Sequence, residues 1–146
     1  MAASASRLTI AVAFWAASPT VCRSFSGGCY KTKEKSVVFP ITEVVTHNEY
    51  FDYDAKYNGQ VDEITPARIP NELRDRVQML TSAIYDILGA QGIIRIDYII
   101  TEGDKINLLE VNTTPGMTPT SFIPQQVRAA GLNITDVMTD IIENKF

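Results

Sequence analysis

The chain is poor in the residues that carry the most recognisable chemistry: among 146 residues there are two cysteines, one histidine and one tryptophan. Cys22 and Cys29 make no disulfide framework, and no Cys/His cluster has zinc spacing, so the thiols read as reduced and incidental. His47 lies in a polar stretch, which argues against a Ser-His-Asp hydrolase. Positive charge is also short. Thirteen Lys and Arg face seventeen Asp and Glu, for a net charge of −4. The first 24 residues hold only Arg7 and Arg23, so the remainder stands at −6. That balance offers little to a nucleic-acid backbone. The apolar run LTIAVAFWAA near the start is too short to cross a bilayer as a helix.

With 45% hydrophobic and 21% charged residues, the composition is that of an ordinary globular chain, long enough for one compact domain. Residues 1–24 differ from the rest. They read either as a weak signal-like segment, with one arginine ahead of the apolar run, or as a start foreign to the domain that follows. Export would follow from the first reading and a cytoplasmic protein from the second.

The most informative stretch runs from Gly92 to Ser121. Two apolar segments flank Gly103-Asp104, a natural two-residue hairpin loop of type II′ because glycine accepts positive φ at its first position. If Glu102 faces Lys105, then Asp97 pairs with Glu110 and Arg95 with Asn112. Period-two alternation puts these four on one face and Ile94, Ile96, Leu109 and Val111 on the other. Two opposed carboxylates at about 5 Å repel by roughly 3 kcal/mol at an effective dielectric near 20. A hard divalent cation would offset this, and Asp, Glu and an Asn amide oxygen are ligands that Mg²⁺ accepts. The plainer alternative is a solvated hairpin face in which Arg95 bridges to one acid. Beyond the hairpin, Asn112 to Thr118 forms a Gly/Pro/Thr loop, and Ser121 stands at a helix N-cap ahead of Pro124 in the first turn. The free N–H groups of a helix start attract anions.

The runs RIDYII and LLEVNTTPGMTPTSFIP resemble the metal and substrate segment of D-alanine:D-alanine ligases, members of the ATP-grasp superfamily. The resemblance covers residues 25–146, the C-terminal and incomplete part of such a ligase. It implies that ATP phosphorylates the carboxylate of one D-alanine and that the amine of a second attacks the acyl phosphate, giving a dipeptide for peptidoglycan. Asp97 and Glu110 would hold one Mg²⁺, and Glu110 with Asn112 a second, with Mn²⁺ as a substitute. Arg95 and the Gly116 N–H would stabilise the oxyanion, while Ser121 and the Phe122 N–H would hold the second substrate's carboxylate. Ile99 and Leu109 match apolar positions around the adenine. YFDYDAKY resembles the loop that closes over the site, with Lys56 at the transferred phosphate and Tyr57 at the second-substrate pocket. The family's ribose-binding glutamate is replaced by Ser24. The full-length family suggests a homodimer. Other readings of the same residues are a different ATP-grasp carboxylate:amine ligase, or a non-catalytic module that binds a partner through an exposed domain face.

The remaining segments read as scaffold. Ser26 to Tyr30 and Ser36 to Val45 suggest a hairpin with Pro40 at an edge or bulge. Thr46 to Glu63 shows neither strand nor helix period. From Pro70-Asn71 an amphipathic helix places Leu73, Val77, Leu80, Ile84, Ile87 and Leu88 on its core face and stops at Gly89. Thr135 is placed to cap a last helix with Ile134, Val137, Met138, Ile141 and Ile142 as its apolar stripe. The resulting fold class is α+β: an antiparallel sheet with helices packed on one side, as in the C-terminal portion of an ATP-grasp fold.

Overall fold

The computed structural model describes residues 23–46 and 61–146. Lys56, Tyr57, His47, Cys22 and the signal-like run lie outside the described residues. Six antiparallel strands form one sheet: β1 (Arg23–Lys31), β2 (Ser36–Val38), β3 (Thr42–Thr46), β4 (Val61–Ile64), β5 (Gly92–Thr101) and β6 (Lys105–Asn112). Their order is β4-β3-β1-β5-β6, with β2 also paired to β1. Three helices among the described residues are numbered in the same chain order: α1 (Asn71–Ile87), α2 (Phe122–Ala129) and α3 (Ile134–Glu143).

β2 and β3 are one strand interrupted around Pro40. Cys29 pairs with Val38 on one side of the break and Ser26 with Thr42 on the other. The residue sums of these pairs differ by one, so a single extra residue is absorbed where proline has no N–H to give. β4 corrects the reading of Thr46 to Glu63 as patternless. Val61–Ile64 pairs with β3, from Glu43 opposite Ile64 to Thr46 opposite Val61. This four-residue edge strand carries two exposed acids, Asp62 and Glu63, in its middle, which suits an edge and hides the alternation.

α1 covers one face of the sheet. Leu73, Val77, Thr81 and Tyr85 form its buried row, packed on Phe25, Cys29, Ile94, Ile96, Tyr98 and Ile100. Thr81 Oγ1 and the Tyr98 hydroxyl lie 2.7 Å apart within this layer. Gly27 lets the helix approach, since a Cβ there would stand 3.1 Å from Thr81 Oγ1. Two members of the anticipated core face fall outside it: Ile87 is 81% exposed and Leu88 40%. At about 100° per residue, Ile87 is turned roughly 100° from the centre of the 73-77-81-85 row. Leu88 follows the last helical residue, just before the chain turns at Gly89 with φ 57°.

α2 and α3 pack against Tyr30, Phe39 and Ile93 through Ile123, Val127 and Val137. The Tyr30 hydroxyl donates to Asp140 Oδ2 at 2.9 Å, and Lys35 Nζ lies 2.7 Å from the same oxygen. These two bonds hold the Asp140 carboxyl below its usual range. α3 is capped by Asn133, whose side chain accepts from Thr135 N, rather than by Thr135. Asparagine, two residues earlier, takes up the N–H of Thr135, so the helix begins ahead of that residue. Ile142 is 58% exposed and falls off the stripe. Cys29 is free and fully buried, and burial pushes its thiol up to about 11.

Candidate functional site

The hairpin β5–β6 pairs Asp97 with Glu110 and Arg95 with Asn112, the two pairings that the sequence predicts. They arise by a different route. The tip is a three-residue loop, Glu102 to Asp104, closed by Thr101 opposite Lys105. Gly103 and Asp104 both have positive φ, 75° and 55°, whereas a type II′ turn needs it only at the first. That loop shifts the register by one residue. A bulge between the Tyr98–Leu108 and Asp97–Glu110 pairs shifts it back, with Leu109 as the extra residue.

The bulge relocates Leu109. Leu108 and Val111 both belong to the α1-side core, so the two residues between them leave that side together. Leu109 is 38% exposed, which overturns its assignment to the core face beside Ile94 and Ile96. It stands next to Glu110, on the face away from that core. Ile99, half-buried, follows Asp97 by one period on this face.

Arg95 is tied to its own strand. Its Nε and Nη2 donate to Asp97 Oδ1 and Oδ2 at 3.1 and 2.9 Å, a bidentate pair between groups that are 17% and 20% exposed. Its guanidinium carbon also lies 5.3 Å from the Phe122 ring centroid, which brings the hairpin to the start of α2. Asn112 Oδ1 accepts from Thr114 N at 3.0 Å and bends the chain into the 113–120 loop. The loop then folds back on α2: a Cβ on Gly116 would meet Ser121 Oγ at 2.9 Å. Ser121 occupies the N-cap position, but its side chain makes no capping bond. Its Oγ pairs with Thr118 Oγ1 at 2.7 Å, so the first-turn N–H groups of α2 are not taken up by the serine. Arg95, Asp97, Glu110, Asn112, Gly116, Ser121 and Phe122 are thereby brought together.

Three further side chains on this side went unread in the sequence. Ser26 is the register partner of Asp97 across β1 and β5. Gln126 of α2 donates through Nε2 to Ser26 O and Thr42 Oγ1. Gln125 Nε2 donates to Glu63 Oε2 at 2.5 Å and ties the same helix to β4. The only signal was FSGGC, whose small residues mark close approach on both faces. No group of three or more His, Cys, Asp or Glu residues suited to a metal occurs among the described residues. Asp97, Glu110 and Asn112 offer two carboxylates and an amide, all hard oxygen donors. This set fits Mg²⁺, which leaves positions to water and phosphate.

A family model described as "D-ala D-ala ligase C-terminus" matches residues 22–143. The chain is 78% identical to the D-alanine--D-alanine ligase of Bacteroides fragilis over 143 residues, covering 94% of this chain and 44% of that protein. It is 85% identical to the ligase of Bacteroides thetaiotaomicron over 119 residues, 82% of this chain and 37% of that one. Among solved structures, the D-alanine--D-alanine ligase of Bacillus anthracis complexed with ATP superposes with a TM-score of 0.64 at 31% identity, covering 84% of this chain and 39% of that one. The architecture is therefore the C-terminal portion of an ATP-grasp ligase fold. Within that class, the chain belongs to the D-Ala–D-Ala ligase C-terminal family, and it spans less than half the length of the relatives it matches.

Proposed function

We propose that this chain is the C-terminal part of an ATP-dependent D-alanine:D-alanine ligase, carrying the metal ligands and the second-substrate contacts but incapable of turnover by itself. The observation that carries the reading is the pairing of Asp97 with Glu110 and Arg95 with Asn112 on one face, beside the start of α2. ATP and D-alanine are the substrates. Asp97 and Glu110 would hold one Mg²⁺, and Glu110 with Asn112 a second, with Mn²⁺ able to replace it. The metal supplies charge neutralisation for phosphoryl transfer, a reaction that depends on positioning more than on covalent help from protein.

The chain's own groups do the rest. Arg95 turns from Asp97 toward the tetrahedral oxyanion, which the Gly116 N–H also meets. Ser121 and the Phe122 N–H hold the carboxylate of the second D-alanine, where the α2 dipole favours an anion. Ile99 and Leu109 bound the adenine. Lys56 and Tyr57 take the phosphate and second-substrate roles of the family's closing loop. In this reading the full-length ligase is a cytoplasmic homodimer with no nucleic-acid or membrane partner, and residues 1–24 stand apart from the ligase domain.

The test is a chimera in which residues 25–146 replace the matching segment of the Bacteroides fragilis ligase. It forms dipeptide in an ATP-dependent way, while the isolated chain forms none. Arg95→Ala and Glu110→Gln each lower kcat by about 10²-fold or more. A chimera that works equally well with Glu110→Gln sinks the assignment.

A further inference from the structure

Ser26 is 1% exposed, and its hydroxyl has no hydrogen-bond partner. Adjacent residues of a strand face opposite ways. Gly27 faces Thr81 of α1, whereas Gly28 faces Ile123 and Gln126 of α2. Ser26 therefore shares the Gly28 side with the register partners Asp97 and Arg95, which oppose Ser26 and Gly28 respectively. A buried hydroxyl left unpaired is costly and marks a position with a role beyond packing.

Across the strand pair, Asp97 shows the complementary condition. Each of its oxygens accepts one bond from Arg95, its only side-chain donor among the described residues. In the reading above, Asp97 holds a cation and Arg95 turns to the oxyanion, so the bidentate pair cannot persist through the reaction. Once Arg95 leaves, the carboxylate loses both donors. Directly opposed residues have Cβ atoms about 4.5–5.5 Å apart. A serine hydroxyl moves between three staggered positions about its χ1 bond, so one rotation brings Oγ toward the freed carboxylate.

We propose that Ser26 is a positioning residue for the metal site: its hydroxyl takes over Asp97 when Arg95 lets go, and it keeps the carboxylate aimed at the cation. This rests on Asp97 and Glu110 being metal ligands. Hydrogen bonds to ligating carboxylates orient them, and their loss typically weakens metal binding 10- to 100-fold. Two other acceptors lie within the layer: Thr42 Oγ1, opposite Ser26 in β3, already pairs with Thr65 Oγ1 at 2.6 Å and accepts from Gln126 Nε2, and Gln126 Oε1 is the second buried atom without a partner. Its amide is committed through Nε2 to Ser26 O and Thr42 Oγ1. Oε1 lies over Gly28, 2.6 Å from where a Cβ would stand, in the row of Arg95 rather than that of Asp97.

The experiment titrates the full chain with Mn²⁺ and follows paramagnetic broadening of the Asp97 and Glu110 amide signals, with Mg²⁺ as competitor. Wild type and Ser26→Thr broaden at the same Mn²⁺ concentration. Ser26→Ala requires at least tenfold more, and Ser26→Cys, a near-isostere with a weak donor, also shifts upward while retaining the spectrum of the folded chain. Unchanged midpoints in the Ala and Cys variants overturn the inference and leave the metal site standing. A wild-type chain with no selective, Mg²⁺-competed broadening at these two residues overturns the metal reading and the inference with it.

Discussion

Gly27 and Gly28 are neighbours in β1, yet they look onto two differently built sides of the sheet. On the Gly27 side every buried side-chain polar atom among the described residues has a partner. Thr81 meets Tyr98, and Glu43, only 4% exposed, receives Arg23 Nη2 at 2.7 Å, Arg68 Nε at 3.1 Å and the Arg68 backbone N–H at 3.2 Å. On the Gly28 side, Ser26 Oγ and Gln126 Oε1 are buried without partners. Asp97 is bonded among the described residues by Arg95 alone. The first side is finished by folding, whereas the second keeps buried polar atoms unanswered. The contrast separates the layer that holds the domain together from the one where the proposed site lies.

The sharpest break should come on the finished side. Leu73→Ala, at a position 3% exposed, is expected to cost about 2–5 kcal/mol, read from chemical denaturation, with protection from hydrogen exchange lost across α1 and the sheet together. Next is Gly28→Ala. The new Cβ would stand 2.5 Å from Ile123 Cδ1, 2.6 Å from Gln126 Oε1 and 2.9 Å from Phe39 Cδ2, for a cost of about 1–3 kcal/mol. Exchange should accelerate in α2 while α1 stays protected. Gly27→Ala, whose closest contact is 3.1 Å, should cost less than Gly28→Ala, and the reverse order would undo the comparison.

A smaller effect is expected from acid. Burial pushes the Glu43 carboxyl up, but the hydrogen bonds from Arg23 and Arg68 outweigh it and hold the group below its usual range. A carboxyl lowered by folding contributes stability above its unfolded value, about 4.3 for glutamate. That contribution fades as pH falls through the lower folded value. Glu43→Gln should therefore be less stable than wild type at neutral pH and show a flatter decline below about pH 4, measured by denaturation at a series of pH values. The least effect on stability belongs to Asp97→Asn, about 1 kcal/mol or less for a partly exposed ion pair. The same variant should raise the Mn²⁺ concentration needed to broaden Glu110, leaving only the ion held by Glu110 with Asn112.

How much of this was legible in the sequence varies element by element. The long helix, its Gly89 stop, the bulge at Pro40 and the acid-bearing face of the hairpin follow from local chemistry that needs no partner. The pairing of Asp97 with Glu110 is instructive because two misreadings cancel in it. The tip holds three residues instead of two, and the bulge at Leu109 returns the register. The tip leaves no mark in alternation, but the bulge does: KINLLEVN alternates polar and apolar except at the adjacent Leu108-Leu109, and the packing of Leu108 and Val111 on one core shows that the break is an extra residue. β4 was hidden because an edge strand with two acids has no apolar rhythm. Ile87 was misplaced because the buried row follows positions four apart, and Thr81, a polar residue, occupies its middle. Ser26 could not be singled out, because only the register of β1 against β5 sets it opposite Asp97.

The extra residue in β6 has a consequence for how this hairpin tolerates change. Leu109 is supernumerary to the ladder: with it removed, Tyr98–Leu108 and Asp97–Glu110 become successive regular pairs and every other partner is kept. A change of length at this one position is thereby decoupled from the orientation of the acids.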